Sequence, residues 1–308
     1  MIKAVSLQWL TRTDLGNLNS GEGAGNLTDL KLYDNGRKPY VSGQAVRRAL
    51  FDTLQRNYPD HFHCSPETPC GDVENCWSCD LRGFLATEEG KGGTRRWSPV
   101  KASPALGQIA KEIVNDLLTR HSDITKENRE SKDMRLAYVQ MMENIFKLNL
   151  VIDIENIGRV IVPKIETKGK KQKVTGYEVN IDIGEEQRLL RINALLDSVY
   201  HLSGFAKQAR ALNSMAPEIL LLTLKDTYNQ RGLSALDLDQ NRQIDAGYLS
   251  IILKEQKMLD DQICVGWTPG VIKNEDEIQS IFKQFEIPVL TVLEAIQWAK
   301  DQVHSELG

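Results

Sequence analysis

The chain has 308 residues, of which 41% are hydrophobic, 26% charged and 6% aromatic, the composition of an ordinary globular protein rather than a disordered or fibrous one. A chain of this length buries a core without disulfides, and no stretch approaches the ~20 apolar residues of a membrane span. The N-terminus lacks a leader pattern, so a cytoplasmic protein is expected. Lys plus Arg is 38 against 42 for Asp plus Glu, a formal net charge of -4, which taken alone argues against a phosphate-rich partner. The charge is unevenly spread, however. Residues 259–308 hold nine acids against three lysines, so the first 258 residues are net positive. Within them residues 31–56 carry six basic and two acidic residues, and residues 163–177 carry five lysines and one glutamate.

In chain order, KAVSLQWL (3–10) reads as a strand with Ala4, Leu7 and Trp9 apolar. Residues 13–38, rich in Gly, Asn and Asp, read as a functional loop. SGQAVRRALFDTLQRNY then places Ala45, Val46, Ala49, Leu50 and Leu54 on one helical face, with Ser42 as N-cap and Arg47, Arg48 and Arg56 elsewhere on the helix. Residues 59–104, rich in Pro, Gly and Cys, are expected to hold little regular structure. ALGQIAKEIVNDLLTRH (105–121) reads as an amphipathic helix and 122–133 as a charged linker, so residues 59–133 look like an insertion. KLNLVIDIENI alternates as a half-buried strand. RVIVPKI and GYEVNIDI flank the lysine-loaded tip ETKGKKQKVT, the pattern of a long β-hairpin. A second amphipathic helix covers 185–202, a short apolar strand covers PEILLLTL (217–224), and TVLEAIQWAKDQV ends the chain as a helix. The succession suggests an α+β sandwich of ferredoxin-like type, an architecture common among single-stranded RNA readers.

Four of the five cysteines, Cys64, Cys70, Cys76 and Cys79, fall within sixteen residues in a C-x5-C-x5-C-x2-C pattern. Reduced thiols so grouped suit a tetrahedral Zn2+ that orders a segment poor in apolar residues, with His61 or His63 as substitute ligands. Loose reduced cysteines and an iron-sulfur cluster are the competing readings. Cys264 stands alone and reads as a small core residue. No catalytic set emerges: there is no P-loop, nucleophile elbow or H-E-x-x-H. His121 and His201 sit late in predicted helices, where a cation suits the dipole. Asp14, Asp29 and Asp34 could bind a metal, although loop aspartates usually form turns.

The region Gly21 to Arg48 carries the stronger signal. GEGAGNL offers free backbone N–H groups, and PYVSGQAVRR offers hydroxyl, amide and guanidinium donors at a helix start, a combination that grips phosphate without reading bases. SGFAKQAR repeats the idea, with Gly204 allowing close backbone approach and Lys207, Gln208 and Arg210 as donors.

GEGAGNLTDLK (21–31), PYVSGQAVRRAL (39–50), RRWSPVKASPAL (95–106) and SGFAKQARAL (203–212), in this order, resemble the DevR branch of the major backbone subunits of type I CRISPR Cascade complexes, in particular the I-B-like subgroup of these guide-RNA-binding RAMP proteins. The resemblance implies a palm of RNA-recognition-motif (RRM) type formed by 1–58, 134–155 and 183–308, an inserted fingers region at 59–133, and a β-hairpin thumb at 156–182. It implies a non-enzymatic subunit that stacks head to tail in several copies along guide RNA (crRNA) beside other Cascade subunits. Each copy leaves bases free to pair with target DNA in antiviral defence or RNA-guided targeting. Carried over residue by residue, the phosphate contacts fall on Ser42, Gln44 and Arg47, with Asn26, Lys31 and Arg48 beside them. Lys168, Lys170, Lys171 and Lys173 would meet the RNA, the target strand or the next copy, and the acidic C-terminal segment would face a basic neighbour. Two alternatives remain open. One is a metal-dependent ribonuclease of the type III backbone kind, using a loop aspartate. The other is a transcriptional regulator, which would require a helix suited to the major groove.

Overall fold

The computed structural model describes residues 1–19, 27–88, 92–120, 135–168, 171–209 and 211–307. Its elements are β1 (Ala4–Gly16), β2 (Leu27–Thr28), β3 (Leu32–Tyr33), β4 (Lys38–Val41), α1 (Gly43–Asn57), β5 (Phe84–Glu88), β6 (Gly92–Arg96), β7 (Val100–Ala102), β8 (Ala105–Gly107), β9 (Val114–Arg120), β10 (Arg135–Asp153), β11 (Arg159–Lys168), β12 (Lys171–Asp182), α2 (Gly184–Tyr200), β13 (Ile219–Lys225), α3 (Ala246–Met258), β14 (Gln262–Trp267), α4 (Glu275–Gln284), β15 (Val289–Leu290) and α5 (Val292–Leu307). The fold is mixed α+β, built on a large, mostly antiparallel sheet. Its order is β15-β14-β13-β1-β10-β8-β4-β3, with β2, β7 and β9 also paired to β10. Two separate hairpins, β5–β6 and β11–β12, stand apart from this sheet.

Register assigns each face of the sheet. Leu7 lies opposite Leu150 on β10 and Leu222 on β13, and Trp9 lies opposite Leu148 and Leu220. These residues share one face and pack under α1, α2 and α5, whose Leu50, Leu54, Ile192, Leu196, Ile296 and Val303 complete the main core. The buried Trp9 indole N–H donates to the Met215 carbonyl at 3.0 Å, so the ring is held without a polar penalty. The helices follow their sequence pattern. In α1 Val46, Ala49, Leu50 and Leu54 are buried, with Ala45 half-buried at the stripe's border, and the Ser42 side chain accepts the Ala45 N–H at 3.2 Å as N-cap.

The opposite face of the sheet is closed by the chain itself. Leu10, Ile219, Leu221, Ile263 and Val265 meet Leu249, Ile252 and Leu253 of α3 and Ile278 and Phe282 of α4 in a second core. Beside that core the face is polar and strapped to the segment before α3. The buried Gln8 amide donates to Asn149 Oδ1 at 2.8 Å and to the Leu233 carbonyl, and its Oε1 accepts the Leu236 N–H at 2.9 Å. Lys147 donates to the Leu233 carbonyl and pairs with Asp237, and Lys225 donates to Asn229 Oδ1 at 2.9 Å. Segments 4–10, 147–153 and 219–225 place no aromatic residue on this face.

The predicted helix over 105–121 is corrected to strands β8 and β9. Leu106, Ile109, Ile113 and Leu117 have helical spacing, but the long strand β10 offers unpaired backbone that both segments complete, and a tertiary partner overrides a local period. At Gly107 the strands come so close that a Cβ would lie 2.7 Å from the Pro39 ring. The strands β7, β8 and β9 therefore belong to the main sheet, and the part of the predicted insertion that leaves it is the stretch up to β6. That stretch is more regular than its composition suggests, with a π-helical turn at Ser78–Arg82 and the β5–β6 hairpin. The first loop is also shorter than predicted, because β1 runs on to Gly16 and β2 and β3 follow. Among the described residues no helix is long and apolar enough to cross a membrane.

Candidate nucleic-acid interface and metal centre

Strand β4 delivers the chain to the start of α1, and Asn19 fixes the junction. Its Nδ2 donates to the Tyr40 carbonyl at 2.8 Å and its Oδ1 accepts the Ser42 N–H at 3.2 Å. From this start Gln44 and Arg48 point to solvent, Arg48 reaching Asp52 at 3.5 Å, while Lys31 is exposed on the preceding loop. Arg47 is half-buried. Its guanidinium lies over the Phe51 ring, 5.8 Å from the centroid, and donates to the Arg82 carbonyl at 2.8 Å. The Arg82 guanidinium covers the same ring at 5.2 Å. Burial, with Arg82 as a like-charged neighbour, pulls the Arg47 pKa down; burial also lowers that of Arg82, partly offset by Asp52, and that of Lys101, with Arg47 adding to the effect. The structure thus gathers Ser42, Gln44, Arg47 and Arg48 at one helix start and adds two cations, Arg82 and Lys101. Arg82 and Lys101 escaped the sequence reading because they come from segments more than thirty residues away.

The other predicted contacts are placed differently. Asn26, Lys170 and Arg210 lie outside the described residues, as do the side chains of Lys168 and Lys171, whereas Lys173 is exposed on β12. Lys207 Nζ and Gln208 Nε2 are turned inward, and Gln208 Oε1 accepts the Asn213 N–H at 2.7 Å. The close approach at Gly204, which has φ +89°, is to the chain's own helix: a Cβ there would lie 3.2 Å from the Ala49 carbonyl oxygen. Of the loop aspartates, Asp34 is a turn former with φ 50°, paired with Arg37 and Lys38, while Asp14 and Asp29 are exposed. His121 lies outside the described residues, and His201 caps the C-terminus of α2.

Cys64, Cys70, Cys76 and Cys79 converge so that their Sγ atoms all lie within 4.8 Å of one another; among the described residues they form the one group of His, Cys, Asp or Glu able to hold a metal ion. Sγ–Sγ distances of 3.5 Å (Cys64–Cys79) and 3.6 Å (Cys64–Cys76, Cys70–Cys79) approach the edge of about 3.8 Å that a tetrahedron with Zn–S bonds of about 2.3 Å requires. Backbone N–H groups of His63 and Gly71 donate to the sulfurs of Cys76 and Cys79, contacts that favour the thiolate. At Cys76 burial opposes ionisation, but the Cys79 and His63 N–H groups and neighbouring thiols outweigh it and bring the group down to about 7, whereas burial pushes Cys79 and Cys64 up. The histidines contribute no ligand atom to this group: the His61 ring stacks on Trp77 at 4.1 Å, and the His63 ring faces the Asp60 carbonyl. Cys264 is buried on β14 opposite Leu222, where burial pushes its thiol up to about 12, as befits a core residue.

The cysteine loop is locked to the fold by a buried ionic hub. Asp80, fully buried beside Cys79, accepts from Arg96 of β6, from Arg191 of α2 and from the Gly158 N–H at 2.9 Å, at the root of the β11–β12 hairpin. Arg191 also donates to the Val73 and Glu74 carbonyls, and Arg96 to the Asn156 and Arg159 carbonyls. The hairpin itself exposes one apolar side, where Ile161 faces Val179, Pro163 faces Tyr177 and Ile165 faces Val174.

The family model for the CRISPR-associated negative auto-regulator DevR/Csa2 matches residues 54–230, more than half of the chain. The chain belongs to this family. The match runs from the last residues of α1 through the cysteine loop, the β11–β12 hairpin and α2 to just past β13, so the cysteine cluster and the hub of this DevR/Csa2 member lie within it. A comparison with curated proteins gives no match. Among solved structures, a chain of a CRISPR RNA-guided surveillance complex matches with TM-score 0.59 and 14% identity over 97% of this chain and 99% of that one. A chain of a CRISPR RNA-guided surveillance complex in a pre-nicking state matches with TM-score 0.61 and 10% identity over 97% and 100%. At these identities the likeness is one of fold, and it extends through the C-terminal segment that the family model leaves out.

Proposed function

We propose that this DevR/Csa2 member is a multi-copy backbone subunit of a type I CRISPR Cascade effector, binding the phosphates of guide RNA and leaving its bases to pair with target DNA. The observation that carries this reading is the sealed sheet. An RRM-type reader stacks bases on aromatic residues of its open sheet face; here segments 4–10, 147–153 and 219–225 place no aromatic on that face, and residues 229–237 and α3 cover it. Donors gather instead at the start of α1, where Gln44 and Arg48 face outward and the half-buried Arg47 lies beside them. Such an arrangement suits sequence-independent phosphate binding, with specificity left to base pairing.

The strand order β13-β1-β10-β7, with α1 between β1 and β7 and α2 between β10 and β13, supports a ferredoxin-like, RRM-type palm. We assign β7 to that palm as its second strand, the cysteine loop and β5–β6 to the fingers, and residues 156–182 to the thumb. The thumb's exposed apolar side and Lys173 suit contact with RNA and with a neighbouring copy in a head-to-tail filament. The cysteines suit structural Zn2+, and the role is that of a scaffold rather than an enzyme. Both structural neighbours come from RNA-guided surveillance complexes, which agrees with this reading.

The test is loading onto repeat–spacer RNAs of increasing length. The number of bound copies should rise with length, affinity should fall with salt as phosphate contacts demand, and Arg47→Ala should weaken loading. Strictly one-to-one binding to a duplex would defeat the proposal.

A further inference from the structure

Two guanidiniums share one aromatic ring. Arg47 and Arg82 lie over Phe51 at 5.8 and 5.2 Å, and among the described residues neither forms a salt bridge with a carboxylate. The nearby Asp52 is engaged by Arg48. Lys101 joins from β7, its ammonium donating to the Ser98 carbonyl. Bringing like charges together in a partly desolvated place costs energy in the free protein, and a polyanion removes that cost on binding. Burial lowers the pKa values of Arg47, Arg82 and Lys101, and Arg82 acting on Arg47 and Arg47 acting on Lys101 add to it, which agrees with this cationic crowding.

What places Arg82 there is the cysteine centre. Only Asp80 and Leu81 separate Arg82 from Cys79, and every residue of this short run is fixed: Cys79 by the other sulfurs, Asp80 by Arg96 and Arg191, and Leu81 by burial in the main core, its carbonyl accepting the Ser98 hydroxyl at 2.7 Å. Gly83 follows with φ +73°, packed so tightly that a Cβ would sit 2.6 Å from the Arg96 carbonyl oxygen and 2.7 Å from the Ser98 nitrogen. Arg82 in turn accepts the Arg47 hydrogen bond on its carbonyl. The position of Arg47, and not just that of Arg82, therefore depends on the loop.

We infer that Arg82 and Lys101 complete a phosphodiester clamp with Arg47, and that metal binding by Cys64, Cys70, Cys76 and Cys79 sets the geometry of this clamp. The inference rests on the proposed RNA-binding function and extends it: the metal governs RNA affinity through a named side chain, in addition to stabilising the fold.

The experiment measures binding of the full chain to a fluorescein-labelled single-stranded repeat–spacer RNA over a range of salt concentrations, with metal content and helical circular dichroism recorded for every sample. Arg82→Gln should retain full metal content, bind about tenfold more weakly, and shift the log–log salt slope by about 0.7, the value for one lost phosphate contact on a single strand. Lys101→Gln should act in the same direction. Stripping the metal from wild type with a chelator, under conditions where the circular dichroism is preserved, should reproduce the Arg82→Gln loss, and stripping Arg82→Gln should add little to it. If Arg47→Ala weakens binding while Arg82→Gln leaves affinity and slope unchanged, the clamp is refuted and the RNA-binding function stands. Additive losses from stripping and from Arg82→Gln refute the coupling. If wild type itself does not bind this RNA, the functional reading falls with the clamp.

Discussion

Replacing Asp80 with asparagine tests how the cysteine loop and the hairpin root are held together. The carboxylate is fully buried and serves three partners at once: the Arg96 guanidinium, the Arg191 guanidinium and the Gly158 N–H. Asparagine keeps the shape but removes the charge, and its amide nitrogen faces donors where an acceptor stood. Arg191, 1% exposed, would then lie buried with only the Val73 and Glu74 carbonyls for partners. Removing one partner of a buried ion pair typically costs about 3–5 kcal/mol. For a chain larger than 150 residues that corresponds to a fall in melting temperature on the order of 6–10 °C, at about 2 °C per kcal/mol. Urea unfolding of Asp80→Asn beside wild type measures the loss, and hydrogen exchange at the Gly158 amide reports whether the hairpin root opens first. A variant within about 1 kcal/mol of wild type, with Gly158 still protected, would refute the view that this hub joins the three segments.

Asp261 supplies a pH prediction. Burial raises its pKa to about 6, partly offset by Lys225, so the folded state holds the proton more tightly than the unfolded chain. Its contribution to stability is therefore fully present below about pH 4 and lost as pH rises through 6. On lowering pH from 7 to 4, wild type should gain on the order of 2–3 kcal/mol relative to Asp261→Asn; a stability difference independent of pH would contradict the assignment. For the metal centre, elemental analysis of protein purified without chelator should find one Zn2+ per chain in wild type and none in Cys79→Ser. Wild type without stoichiometric zinc would dismiss the metal.

The parts of this molecule that were legible in its sequence are those whose signal is local. Helix α1 announces itself through Ser42 and the Val46–Ala49–Leu50–Leu54 stripe, and the β11–β12 hairpin through two alternating segments around a lysine-rich tip. The cysteine centre is legible because its ligands fall within one loop, and a metal site needs only residue type and proximity. Residues 105–120 misled because their conformation is decided by β10, which lies across a charged linker and offers backbone partners that no local period encodes. Asp80 and Arg191 were invisible for a related reason: they are more than a hundred residues apart, and an isolated Asp or Arg carries no pattern. The second core, with α3 and α4, is hidden because the polar residues that anchor its covering segment, Gln8, Lys147 and Lys225, read as ordinary strand residues until their partners are known.

The acidic C-terminal segment shows how a charge run can have a structural origin. Glu275, Asp276 and Glu277 occupy the first turn of α4 and Glu294 that of α5, where negative charge meets free N–H groups. Glu275 accepts the Gly270 N–H, and Glu294 accepts both the N–H and the hydroxyl of Thr291. Asp260 and Glu286, with φ 57° and 53°, stand just past the ends of α3 and α4 in the left-handed conformation that ends a helix, and the next amides close back on the Gln256 and Phe282 carbonyls. Asp261 is buried, Asp301 accepts from Gln297, and Glu306 lies 3.4 Å from the N-terminal ammonium. Most of the acids in this segment thus stand at helix starts, helix ends or in contacts within the fold. Much of the excess charge goes with the end of α3, both ends of α4 and the start of α5, so it needs no oppositely charged neighbour to explain it. The cations around Phe51 differ in this respect: Arg47 and Arg82 crowd one ring and, among the described residues, neither is in a salt bridge, Asp52 being paired with Arg48, so that site and not the acidic surface is where the charge distribution favours an anionic ligand.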